Sequence, residues 1–145
     1  MASSLDKLAS YLTDLSILTK QFQKDSYTSH QIQLLQRKGV FPYEYISSFD
    51  KLKETQQPTH EDFFSSLNDS NVSEADFQHA KQVWKDLLIK SLGEYSDLYL
   101  KTDVLLLADV FEAYIEVVKR IYGIDPANYF TFPGNSFLTY ILKLK

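Results

Sequence analysis

Residues 91 to 122, SLGEYSDLYLKTDVLLLADVFEAYIEVVKRIY, contain no Pro and a single Gly, Gly93. Apolar side chains recur through them on a 3.6-residue rhythm, the pattern of one long helix against which the rest of the chain must pack. On a wheel at about 100° per residue with Asp103 at zero, Leu100, Val104, Leu107 and Phe111 fall to one side and Tyr99, Leu106 and Val110 to the other. Asp103 then lies in the middle of the apolar stripe. Asp109, Glu112 and Glu116 point to the opposite face, where a run of acids is ordinarily solvated.

A carboxylate turned toward the core has to be neutralised, hydrogen-bonded or metal-bound, because an unpaired buried charge costs several kcal/mol or more. Tyr99 stands one turn before Asp103, so phenol and carboxylate can share a pocket. A structural Asp–Tyr hydrogen bond or an interhelical salt bridge satisfies the same geometry, and both readings stay open on spacing alone.

The chain of 145 residues is about one domain in size. Fifteen Lys and Arg against 19 Asp and Glu give a net charge of −4, which argues against a self-sufficient electrostatic DNA-binding module. The absence of Cys excludes disulfides, thiolate zinc sites and a Cys nucleophile. No apolar run reaches the roughly 18 residues of a membrane span, and the N-terminal residues lack a signal pattern, so a soluble intracellular protein is expected.

In order along the chain, Leu5, Leu8, Ala9 and Leu12 predict a short amphipathic helix over 3 to 13, with Ser3 or Ser4 as its cap. Residues 14 to 26 are mixed. A second helix is predicted from about Thr28 to Arg37, with Gly39 placed to end it. The aromatic-rich KGVFPYEYISSF predicts an extended segment and turn. Residues 51 to 72 are polar and loop-like, with a short helix capped by Thr59 after Pro58. Ser73 and Asp76 open a clearer helix whose buried stripe is Phe77, Ala80, Val83, Trp84, Leu87 and Leu88. His30, His60 and His79 lack ligand spacing, which speaks against a His-based metal site. After Gly123 the chain carries the turn dipeptides Asp125–Pro126 and Pro133–Gly134, and ends in an apolar stretch that resembles a cut. The predicted fold is mainly α: five to six helices, with one short strand pair near 40 to 46 and 129 to 132.

The runs LQRKGVFPYEY, SLNDSNVSEADFQHAKQVW, LGEYSDLYLKTDVLLLADVFE and YGIDPANYFTFPG, spaced in this order, resemble the protein-primed branch of the family B DNA polymerases. Within it the likeness is to copies in Maverick/Polinton-type transposons and related viruses. The resemblance implies that YLKTD is the Tyr-x-x-x-Asp motif of a 3′–5′ proofreading exonuclease with an RNase H-like α/β parent fold. Asp103 is then the ligand of one metal of a two-metal Mg²⁺ or Mn²⁺ site, and Tyr99 orients the attacking water. Lys38-Gly39-Val40-Phe41 fits the Lys-x-x-hydrophobic motif of that branch, implying that Lys38 assists near the phosphate and that Tyr43 contacts the single-stranded primer end.

No Asp-x-Glu occurs anywhere in the chain, and the polymerase motifs Asp-x-x-Ser-Leu-Tyr-Pro and Asp-Thr-Asp are missing. The resemblance therefore implies the C-terminal part of an exonuclease domain over 1–122 and the start of a polymerase domain over 123–145. Such a fragment is expected to be inert alone, because its metal site is completed by residues outside it. DNA with a 3′ primer end, dNTP and a terminal-protein primer are the implied partners of the intact parent, at a nuclear or viral replication site. A helical interaction domain without catalysis is the alternative, and Asp109, Glu112 and Glu116 as a separate carboxylate metal site is a third reading.

Overall fold

The computed structural model describes residues 5–128 of the chain. These are mainly helical: α1 (Leu5–Ser10), α2 (Ser16–Lys24), α3 (Ser29–Leu35), α4 (Glu74–Asp86) and α5 (Leu92–Tyr122), with short 3₁₀ turns at Phe49–Lys53, Glu61–Phe63 and Pro126–Asn128. The mainly α expectation holds, and α5, 31 residues long, is the axis. Packed along it are α1, α2 and the Phe49–Lys53 turn, while α3 bridges α2 and α4.

Local chemistry sets the boundaries. Ser91 accepts from the Glu94 N–H and opens α5, while Gly123, at φ 69°, closes it in the left-handed conformation that an L side chain resists. Lys119 and Arg120 sit in its last turn, where the helix dipole favours cations. Thr28 and Gln31 form a reciprocal capping box on α3, and Ser73 caps α4 through the Asp76 N–H. The core holds Leu18, Phe22, Leu92 and Leu106 fully buried, with Ile32, Leu35, Phe63, Ala80, Val83 and Tyr95 around them.

Several sequence-based expectations are corrected. The mixed segment 14 to 26 contains α2, whose Leu18 and Phe22 are buried. The second helix ends at Leu35, and Gly39 lies beyond it without the positive φ of a helix-ending glycine. Residues 40 to 46 form no strand; the Phe41 and Tyr45 carbonyls accept from the Tyr43 and Ser47 N–H groups and the Val40 carbonyl from Tyr95, and the only bridge among the described residues joins Ser65 and Ser70. Residues 129 to 132, the partner expected for that strand, lie outside the described residues, as do Ser3 and Ser4. Leu88 is exposed, because α4 ends at Asp86 and Leu88 itself turns at φ 54°.

Two corrections concern α5. Its buried face runs through Leu92, Tyr95, Leu98, Thr102, Leu106 and Asp109, whereas Leu100, Val104, Leu107 and Phe111 face solvent. Asp103 therefore sits on the border of the packed face, not in its middle. Asp109, placed by the wheel on the polar face with Glu112 and Glu116, is only 5% exposed. Its two carboxylate oxygens accept from the Ile17 and Leu18 N–H groups, each at 2.9 Å. The first turn of α2 has no side-chain cap of its own, so Asp109 satisfies donors that would otherwise be orphaned and meets the positive end of that helix. That occupation removes it from any carboxylate metal site with Glu112 and Glu116, which are exposed as expected.

Candidate functional site

Between α3 and the Phe49–Lys53 turn, residues 37 to 45 run without helix or strand past the first half of α5. Pro42, which is fully buried, bars helical continuation, and the segment is pinned at both ends. At one end Arg37 pairs with Asp76 of α4; at the other the Tyr45 hydroxyl donates to Glu54 at 2.6 Å. Between them the Tyr95 hydroxyl donates to the Val40 carbonyl at 2.7 Å.

This pinned segment brings all four sequence-predicted site residues together. Lys38 Nζ stands 3.7 Å from Asp103 Oδ2, and the Tyr43 and Tyr99 hydroxyls are 2.8 Å apart. Tyr99 and Asp103 share one side of α5 a turn apart, so the aromatic pair and the ion pair are neighbours. The Tyr99 phenol thus bonds to Tyr43 rather than to Asp103. Asp103 in turn pairs with a lysine on an irregular segment rather than on another helix.

Tyr99 is held from behind. The Phe41 ring stacks on it at a centroid distance of 4.9 Å and on Tyr95 at 6.2 Å, and the Tyr43 ring meets Phe41 edge-on at 5.1 Å. Gly39 lies under the ring edge, where a Cβ would come within 3.6 Å. Burial pushes the Tyr99 phenol well above the usual tyrosine range, the hydrogen bond to Tyr43 raises it further, and the charge of Asp103 adds in the same direction. Tyr99 is therefore a neutral phenol that keeps its proton to donate.

Asp103 Oδ2 has Lys38 as its nearest cation, but Asp103 Oδ1 is buried with no hydrogen-bond partner. A shielded carboxylate oxygen with a free lone pair is costly as it stands and suited to a cation. Tyr43, by contrast, is 66% exposed. The arrangement gathers a carboxylate with one buried, unpartnered oxygen, an ammonium point charge, a neutral phenol and an exposed tyrosine in one cluster.

Comparison with protein-family models, with curated proteins and with solved structures found no match.

Among the described residues no three His, Asp, Glu or Cys side chains group to hold a metal ion. A divalent ion would find one protein ligand here, Asp103 Oδ1, so the residues fit one corner of a metal site and not a whole one. His60 and His79 spend a ring nitrogen on the Val72 and Leu34 carbonyls, each at 2.8 Å.

Two contributors escaped the sequence reading. Phe41 enters there as the hydrophobic position of Lys-x-x-hydrophobic and is given no role of its own, yet it is the platform under Tyr99. Thr102, buried with its hydroxyl unpartnered, borders a cavity of about 20 Å³ shared with Arg37, Gly39, Tyr95 and Tyr99. That volume admits a single water, and nothing in the sequence pointed to it.

Proposed function

We propose that this chain supplies one part of a 3′–5′ exonuclease site in a protein-primed family B DNA polymerase. Residues 1–122 are the end of the exonuclease domain and 123–145 the start of the polymerase domain. The observation that carries the reading is the convergence of Lys38 and Tyr43 on Tyr99 and Asp103. The Tyr43–Tyr99 pair spans 56 residues, and a motif match alone does not require its members to touch.

In this reading Asp103 offers Oδ1 to a divalent ion, whose chemistry when bound is to polarise the scissile phosphate and activate water. Tyr99, kept protonated, would turn its one proton from Tyr43 to the attacking water and fix its direction. Lys38, 3.7 Å from Asp103, carries the positive charge that a phosphate oxygen would meet beside the carboxylate. Tyr43 presents an exposed ring on which the terminal base stacks, a contact worth about 1–3 kcal/mol per base. The remaining acidic ligands come from sequence beyond these 145 residues, so the chain alone is inert.

The test is to express the reading frame with its encoded flanks and follow Mg²⁺- or Mn²⁺-dependent shortening of a single-stranded oligonucleotide from its 3′ end. Activity in the extended protein, lost on Asp103→Ala and absent from the 145-residue chain, is expected. Flanks lacking an Asp-x-Glu segment, or nuclease activity indifferent to Asp103→Ala, would sink the proposal.

A second reading, a helical interaction domain, is favoured by one observation: the exposed apolar row Leu100, Val104, Leu107 and Phe111 on α5. It leaves the orphaned Asp103 oxygen without a purpose.

A further inference from the structure

The cavity of about 20 Å³ lined by Arg37, Gly39, His79, Tyr95, Tyr99 and Thr102 lies where the residues after α3 meet α4 and α5. Thr102 is only 4% exposed, and its hydroxyl is buried with no hydrogen-bond partner. A threonine inside a helix can return such a bond to the carbonyl four residues back, here Leu98, and this one does not. Left dry, a buried hydroxyl costs stability that Val, of the same shape, would spare.

Size and polarity both suit the cavity to water. Its volume is that of one molecule, and a buried water needs roughly two to four hydrogen-bonding partners. Thr102 supplies the first. Arg37 gives part of its guanidinium to Asp76 and keeps other N–H donors, while the Tyr95 hydroxyl, whose proton goes to the Val40 carbonyl, can still accept. With His79 Nε2 donating to the Leu34 carbonyl, the second nitrogen of the neutral ring is a further acceptor.

The place of the cavity says what such a water would do. Lys38 stands between Arg37 and Gly39 in the chain, and both of these neighbours line the cavity; Asp103 follows Thr102, which lines it from α5. The Lys38–Asp103 pair is itself long at 3.7 Å and partly exposed, so it holds the segment to the helix only weakly. A water shared by Thr102 and the residues around Lys38 links the same two elements in a place shielded from solvent, where a hydrogen bond is stronger.

We infer that one resident water, bonded to the Thr102 hydroxyl, fills this cavity, and that through it Thr102 is a positioning residue that sets residues 37–39 against α5. The inference goes beyond the exonuclease reading and does not depend on it. The cavity and the buried hydroxyl are the same whether or not the cluster meets a phosphate.

Oxygen-17 magnetic relaxation dispersion on the full 145-residue chain counts long-lived internal waters. Thr102→Val keeps the shape and removes the hydroxyl, and Thr102→Ser keeps the hydroxyl. The Val variant is expected to hold one long-lived water fewer than the parent and to melt a few degrees lower, while the Ser variant keeps the parent count. A Cβ on Gly39 would lie 3.6 Å from the Tyr99 ring, so the NOE between the Gly39 Hα protons and that ring reports the seating of the segment. It should weaken in the Val variant and persist in the Ser variant. A parent without any long-lived water overturns the inference with no variant needed. Equal counts in parent and Thr102→Val overturn it too, as does a Val variant that melts at or above the parent, the result for a hydroxyl buried dry. A lost water with an unchanged Gly39–Tyr99 NOE overturns the positioning role.

Discussion

The phenol oxygens of Tyr43 and Tyr99 lie 2.8 Å apart, joining an irregular segment to the first half of α5. Because the Tyr99 proton is held in the fold by burial first and by Tyr43 second, its pKa is higher folded than unfolded. A raised pKa gives stability that is complete below the unfolded value, near 10, and is lost as pH rises beyond it. Thermal melts of the chain should therefore decline on the alkaline side of about pH 10. Tyr43→Phe should soften that decline while costing about 1 kcal/mol at neutral pH. Tyr95, also raised by burial, contributes to the decline in both proteins. An unaltered alkaline slope in Tyr43→Phe would mean that the hydrogen bond does not act on Tyr99.

Asp103→Asn separates the two readings of the cluster. The ion pair with Lys38 is long at 3.7 Å, both side chains are partly exposed, and one carboxylate oxygen has no partner. Such a pair contributes about 0–1 kcal/mol, so urea unfolding of Asp103→Asn should stay within about 1 kcal/mol of the parent or rise above it. A loss of several kcal/mol would mark Asp103 as a structural strut and favour the interaction domain.

The opposite outcome is expected six residues along. Asp109 is buried and caps two N–H groups of α2, so Asp109→Ala leaves both donors without a partner. Hydrogen bonds to a charged group are worth about 1.5–3 kcal/mol each, and a loss near 3 kcal/mol is expected. Glu112→Ala and Glu116→Ala, on exposed positions, should change stability by no more than about 0.5 kcal/mol. Equal effects from all three would contradict the capping role.

That contrast shows where the sequence was legible. The ends of α5 were written in Ser91 and Gly123, the start of α4 in Ser73, and the start of α3 in Thr28, because caps are short-range chemistry. That Lys38 and Tyr43 lie beside Asp103 and Tyr99 could not be derived from spacing, which placed only Tyr99 and Asp103 a turn apart; resemblance alone named the other two. The side of α5 that is buried was not. Two apolar sides flank Asp103, and only the placement of α1 and α2 decides between them. The wheel gave no sign that Asp109 would reach two backbone N–H groups about 90 residues away in sequence. Helix α2 itself was missed for the same reason: its first turn has no cap of its own and borrows one from α5.

His79 offers a pH test away from the site. Desolvation lowers its pKa from the usual 6.5, and the nearby Arg37 guanidinium adds to the effect. The hydrogen bond to the Leu34 carbonyl and the charge of Asp76 oppose it only in part. A depressed folded pKa means that the unfolded chain binds the proton first, so stability is intact above about pH 6.5 and falls as pH drops through the folded value. The carboxylates held low by partners, among them Asp76, add their own loss only below their ordinary range near 3.8. Melting temperatures between about pH 6.5 and 4.5 should therefore decline in the parent. In His79→Gln, whose amide can still donate toward Leu34, they should run flatter. If His79→Gln declines as steeply as the parent over that interval, the imidazole is not the group taking up the proton.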